Sequence, residues 1–289
     1  MFKEQFSEYR EFIESYMDDG CFVYPDEPQQ TLFESIRYSL LAGGKRLRPV
    51  LLFDFCRMCG GDWKKAADFA AAVEMIHTYS LIHDDLPCMD DDDYRRGALT
   101  NHKVYGEAIA VLAGDGLLTA AFNRLSKSAY SAEARITAVE ILSQCAGELG
   151  MVGGQVLDMQ SETRQCTAQE VIDIQSRKTG ALIRAACLLG VVAGGGNAEQ
   201  MQAADCFASN LGLAFQIRDD MLDVIGNSEE LGKATGVDGM KNTFVQLYGL
   251  SKCEELVSLH TNEAIKALCA FDDTAFMTEL SQYLTGRTN

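Results

Sequence analysis

The sequence is short of proline, of basic residues and of long apolar runs. Its four prolines, Pro25, Pro28, Pro49 and Pro87, all lie in the first third, and nothing after position 87 is proline. Sheet proteins of this size usually punctuate their strands with proline and Asn-Gly turns, and no strand-like alternation persists along this chain. Lysine and arginine number 25 against 42 acidic residues, a net charge of −17. Such a surface repels phosphate backbones and anionic bilayers, so no nucleic-acid partner is expected. The longest uncharged run, Ala185–Ala198, carries four glycines and is too short to span a membrane. The first residues, MFKEQFSEYREF, contain no apolar targeting core. Ten cysteines in a chain without an export signal read as reduced thiols, and cytoplasmic residence is the expectation. The single CxxC, Cys56–Cys59, sits in an apolar stretch and reads as helix packing rather than a metal or redox site.

What is present is helical periodicity. Ala66–Ile82, Ala134–Leu149, Val171–Val192, Ala203–Val224 and Leu247–Leu268 carry apolar residues at i, i+3 and i+4, the spacing of a helix with one buried face. Glycine-rich breaks fall at Gly43–Gly44, Gly60–Gly61, Gly153–Gly154 and Gly194–Gly196. Ser131–Asp158 holds several glycines yet keeps an apolar face, so a kink is expected there. No repeat and no low-complexity linker divides the chain. The reading is one all-α domain over residues 1–289, with ten or more helices around one core.

Two acid clusters stand out. HDDLPCMDDDDYRR places Asp84, Asp85 and Asp90 in a DDxxxxD arrangement after a helical run, and Pro87 ends that helix. Carboxylates at a helix C-terminus meet the unfavourable end of the dipole. A hard divalent cation offsets that cost through oxygen ligands. The second cluster, in LAFQIRDDMLDVIG, holds Asp219, Asp220 and Asp223. On a helix Asp219 and Asp223 share a face, and Gln216 lies one turn before Asp219 and Asp220. Its neighbours are apolar, an unusual setting for carboxylates without a metal or a basic partner. The spacing at 90–93 does not fit an EF-hand.

With cations scarce, their placement is informative. AGGKRLRP offers Lys45, Arg46 and Arg48 after two glycines and is not a Walker loop. Arg95 and Arg96 follow the acid run; Lys178-Thr179 precedes Gly180; Lys233 and Lys241 follow the second cluster. His77 lies two helical turns before Asp84. Acid pairs with dispersed cations suit a multiply anionic ligand chelated by magnesium, its remaining oxygens held by arginine and lysine.

With these motifs assembled, the sequence resembles the trans-isoprenyl (polyprenyl) diphosphate synthases, and within them the bacterial-type farnesyl diphosphate synthases. The resemblance runs from about Leu41 to Thr243 through GGKRLRP, EMIHTYSLIHDDLPCMDDDDYRRG, GQVLDM, KTG and FQIRDDMLDV. It implies an isoprenoid synthase-type bundle around a central cavity, a homodimer, and head-to-tail transfer of an allylic diphosphate (dimethylallyl or geranyl) onto isopentenyl diphosphate. It implies Asp84, Asp90 and Asp219 as ligands of Mg²⁺, three ions with substrate bound, with Asp85, Asp220 and Asp223 in support. Arg95, Lys178 and Lys233 then hold the allylic diphosphate, with Lys241 close by. Lys45, Arg48, His77 and Arg96 hold isopentenyl diphosphate, and Thr179 and Gln216 face the reacting carbons. The released diphosphate takes the proton. By the same resemblance Tyr79 and Ser80 floor the product tunnel, and a tyrosine there implies a C15 product; geranyl and geranylgeranyl products are the alternatives. A non-catalytic subunit of the same fold would lack one acid motif, and a cyclase would lack the isopentenyl-binding set. A di-iron carboxylate bundle would need a partner for Glu74-x-x-His77, and none of His83, His102 and His260 has a Glu three residues before it.

Overall fold

Helices with almost no polar face form the centre of the molecule, as their sequences dictate: a helix apolar all round has nowhere to go but the core. The structure is a computed structural model and describes residues 2–231 and 242–287. In chain order the helices are α1 (Phe2–Gly20), α2 (Gln30–Leu40), α3 (Leu47–Met58), α4 (Ala67–Asp84), α5 (Asn101–Tyr105), α6 (Glu107–Lys127), α7 (Ala132–Ala146), α8 (Met151–Ser161), α9 (Ala168–Gln175), α10 (Ala181–Gly194), α11 (Ala198–Leu231), α12 (Phe244–Ala267) and α13 (Ala275–Thr285). The all-α expectation holds. Most of α3, α4 and α10 is buried. α4 packs along α6, α10 along α3, and α11 along α12. α6 is long and apolar enough to cross a bilayer by length and composition alone. Ala110, Ala113, Gly114, Leu117, Ala121 and Leu125 are its buried positions, and their spacing is that of a helix laid along a core neighbour.

Three local features depart from the periodicity reading. The break predicted at Gly153–Gly154 lies instead at Gly147–Gly150, and Gly153 and Gly154 sit inside α8. Gly154 is there because a Cβ on it would fall 2.3 Å from the backbone nitrogen of Lys178, so the α8 backbone touches the chain that carries Lys178. The helix expected over 171–192 is interrupted by a π-helical turn, Ser176–Gly180, a rare geometry concentrated at functional sites. Finally Tyr94–Arg95 (β1) and Ala98–Leu99 (β2) pair antiparallel. Arg96 and Gly97 between them both have positive φ, 55° and 81°, the requirement of a tight hairpin turn with a type I′ twist.

Candidate active site

α4 ends at Asp84, with Asp85 as its C-cap, as Pro87 requires. The chain then turns back: the amide of Asp90 donates to the carbonyl of Asp84 at 2.8 Å, and the amide of Asp91 (φ 53°) to Leu86 at 3.2 Å. The DDxxxxD spacing is thus closed into a loop that returns Asp90 to the helix end. Asp84 is half-buried. Burial pushes its carboxyl up to about 6, the nearby charges of Asp90 and Asp85 push the same way, and Lys178 and Arg95 pull against them. Asp85 is buried and accepts from Arg95 Nε at 2.7 Å. Of the remaining run, Asp92 lies 3.6 Å from Arg95 and Asp93 lies 2.6 Å from Lys103. These acids brace the hairpin.

The hairpin sends its two arginines different ways. Arg95 goes to Asp85, whereas Arg96 donates to the carbonyl of Gly43 and lies against Gly44. Arg96 therefore reaches the GGKRLRP loop. Arg46 anchors that loop: its Nη1 lies 2.9 Å from Glu74 and its Nη2 donates to Leu40 O at 2.8 Å, both ends buried. Glu74, the acid of the Glu-x-x-His pattern, is thereby an ion-pair partner. The Nε of Arg48 is buried and has no hydrogen-bond partner among the described residues. Burial lowers the His77 imidazole well below its ordinary value, and the guanidinia of Arg48, Arg96, Arg46 and Arg95 add to the effect. A neutral imidazole amid four guanidinia is a seat for an anion.

A cavity of about 440 Å³ joins these parts. Arg48, His77, Tyr79, Ser80, Asp84, Lys178 and Thr179 all line it, together with apolar Met89, Met151, Val152, Val156 and Met159. Ser80 returns its hydroxyl to the His77 carbonyl at 2.9 Å, a bond within the helix. Burial raises the Tyr79 hydroxyl to about 12. Lys178 donates to Asp158 at 2.6 Å.

Other expected residues stand apart from this cavity. Arg95 and Arg96 line a small recess beside it with Asp85 and Thr78. Lys45 does not line the cavity either, and its ammonium feels the charges of Arg287 and Asp219. Asp219 pairs with Arg287, whose guanidinium lies 4.5 Å from the Phe215 ring. Asp220 is buried and accepts from the Phe244 amide at 2.9 Å, fastening the N-terminus of α12. The Gln216 amide donates to Asp220 at 3.1 Å and does not line the cavity; the i, i+4 spacing that aligns it with the acids also lets it bond to one. Asp223 is exposed. Lys233 and Lys241 lie outside the described residues.

Sequence reasoning missed two partners. Asp158 stood in the quoted motif GQVLDM without a role, and its pairing with Lys178 spans 20 positions. Arg287 had no local signal at all, since nothing around it is patterned. Among the described residues no three carboxylate, imidazole or thiol side chains converge to hold an ion by themselves. The acid pairs fit a divalent cation that takes further oxygens from a phosphate ligand and water, the usual setting of Mg²⁺. The raised Asp84 carboxyl and the arginine drawn onto Asp219 mark both as sites that favour a cation.

Comparison with known proteins points the same way. A family described as polyprenyl synthetase matches residues 29–273. The farnesyl diphosphate synthase of Micrococcus luteus is 43% identical over 278 residues, 94% of this chain and 95% of that one. Geranylgeranyl pyrophosphate synthase 3 of Arabidopsis thaliana, a chloroplast protein, is 46% identical over 90% of this chain and 75% of its own. Among solved structures, an FPP/GFPP synthase from Zymomonas mobilis superposes with a TM-score of 0.88 at 34% identity, covering 98% of each chain.

Proposed function

The chain belongs to the polyprenyl synthetase family, and on that basis we propose that this prenyltransferase joins isopentenyl diphosphate head-to-tail to dimethylallyl and then geranyl diphosphate, making farnesyl diphosphate. The observation that carries the reading is the single cavity in which Asp84, Lys178, Arg48 and His77 share a wall with Tyr79. Charge sits at one end and an aromatic floor lies one helical turn away, the layout needed to hold a diphosphate and measure an apolar chain. The reaction breaks the allylic C–O bond, giving a carbocation and diphosphate. The isopentenyl alkene attacks the cation, and loss of a proton to the released diphosphate restores a double bond.

Lys178 and Arg95 hold the allylic diphosphate. Both are parked on carboxylates, Asp158 and Asp85, which keeps their ammonium and guanidinium groups oriented. Lys233 and Lys241 join them by resemblance. Arg48, His77 and Arg96 form the seat for isopentenyl diphosphate, and the unpartnered Nε of Arg48 supports an anion there. Lys45 joins that seat by resemblance, and the charges of Arg287 and Asp219 also act on it. Thr179, on the π turn, borders the reacting carbons. Met151, Val152 and Val156 give the cavity an apolar wall, and a second copy seated on the exposed valines would keep water from the cation. Asp84, Asp90 and Asp219 are the residues to hold Mg²⁺, three ions when substrate is present, which when bound neutralise the charge on the departing diphosphate.

Exposed apolar side chains on α6 and α8, among them Leu112, Val152 and Val156, support a homodimer. Ten free thiols support a reducing, cytoplasmic setting. The test is incubation with isopentenyl diphosphate, Mg²⁺ and either allylic starter, followed by sizing of the dephosphorylated products. Farnesol is expected. Predominant geranylgeraniol would overturn the C15 assignment, and no condensation with either starter would overturn the activity.

A further inference from the structure

Tyr79 does not stand alone at the floor of the cavity. One turn on, the His83 ring packs edge-on against it, with centroids 5.8 Å apart and planes at 78°. His83 also lines the cavity. It also meets α6. A Cβ built on buried Gly114 would fall 2.0 Å from His83 Nε2, 2.5 Å from Cδ2 and 2.8 Å from Cε1. The imidazole therefore fills the place of a side chain at 114, and its Nε2 is 3.1 Å from the carbonyl of Val111 on the same helix. Gly114 is needed here for close approach rather than for its backbone angles. The contact is ring on backbone, so no rotamer of a larger residue escapes it.

We propose that Gly114 and His83 set product length together: the missing side chain on α6 gives His83 a seat at the edge of the cavity, and the seated ring holds Tyr79 at the depth where the growing chain stops. The inference rests on the cavity being the seat of that chain. Any side chain at 114 evicts the imidazole, and the free space that the ring borders is the cavity itself. Eviction thus raises the floor, whereas removal of the ring deepens it and leaves Tyr79 without its lateral support.

Product sizing with both allylic starters tests this in four variants. Gly114→Ala is expected to accumulate the C10 product and to lose roughly 10-fold or more in kcat/KM for geranyl diphosphate, the scale at which a hydrocarbon pocket discriminates size. Turnover of dimethylallyl diphosphate should stay near the parent's. His83→Ala is expected to release C20 product. In Gly114→Ala/His83→Ala the methyl has room, so the double variant should behave like His83→Ala, a non-additivity that a merely structural role does not produce. Tyr79→Ala is the control for the underlying reading. If it still stops at C15, the cavity reading fails. If it lengthens product while the His83 and Gly114 variants keep the parent's distribution, only the present inference fails. Should Gly114→Ala not fold, His83→Ala and the double variant decide alone: C15 from both overturns the proposal.

Discussion

Burial holds the Asp84 carboxyl near 6, above its ordinary value of 3.8, and this fixes the sign of a pH effect. Between those two values the folded protein holds more proton on Asp84 than the unfolded chain does, so its stability falls as pH rises through that window. Without metal, Asp84→Asn should raise Tm at pH 7.5. The gain should shrink below pH 6 and vanish near pH 4, as thermal melts in EDTA would show; a gain independent of pH would count against the shift. His77 runs the other way. Its imidazole is held well below 6.5 by burial and by the Arg48 and Arg96 guanidinia, so it resists charging in the free protein. A diphosphate seated beside it reverses that bias, and binding near pH 6 should take up a proton. Calorimetry of isopentenyl diphosphate binding in buffers of different ionisation enthalpy reads this directly, and His77→Gln should abolish the buffer dependence.

At the scale of elements, α8 and the π turn are joined where the Gly154 backbone meets the Lys178 nitrogen. Gly154→Ala must push that turn away and carry Lys178 and Thr179 with it. A displacement of about 1 Å can cost about 10²-fold in rate. The variant should therefore keep its helical circular dichroism and lose at least about 10-fold in kcat/KM for the allylic substrate; steady-state kinetics would reveal it, and parent-like kinetics would show the contact to be slack. The same region shows what the sequence could and could not reveal. α4, α10, α11 and α12 were legible because their apolar residues repeat at helical spacing, and the end of α4 at Asp84 was legible through Pro87. Both acid motifs and Arg48, His77, Lys178 and Thr179 were legible as local patterns; the fold brings Asp84 and these four to one cavity, while the second acid motif stands apart from it. The π turn was not legible, because it needs one extra residue in a turn whose composition is ordinary. Nor were Lys178–Asp158 and Arg287–Asp219, since each joins elements far apart in sequence and periodicity reports only on a single helix. The Gln216–Asp220 bond was not legible for the converse reason: a spacing that fits a shared face also fits a hydrogen bond along it.

At the scale of the whole molecule, an exposed apolar side chain such as Leu112 on α6 (52% exposed) belongs to the surface proposed to meet a second copy. Leu112→Asp should shift sedimentation toward the monomer and reduce turnover, because α8, which also carries exposed apolar residues, lines the cavity; an unchanged sedimentation coefficient would put the dimer contact elsewhere. Three cations of the candidate site have a further consequence at this scale. Arg95, Lys178 and Arg287 each rest on a carboxylate of the same chain, Asp85, Asp158 and Asp219. Ligands entering such a site exchange partners with the protein rather than shedding a sheath of dissolved ions. The distant repulsion from a body of charge −17, meanwhile, is what added electrolyte screens first. The two effects oppose each other, so KM for the allylic diphosphate should move by less than about three-fold between roughly 50 and 200 mM KCl, unlike a site that gathers an anion by releasing counterions. The enzyme would then be insensitive to ionic strength despite a reaction conducted almost wholly among charges.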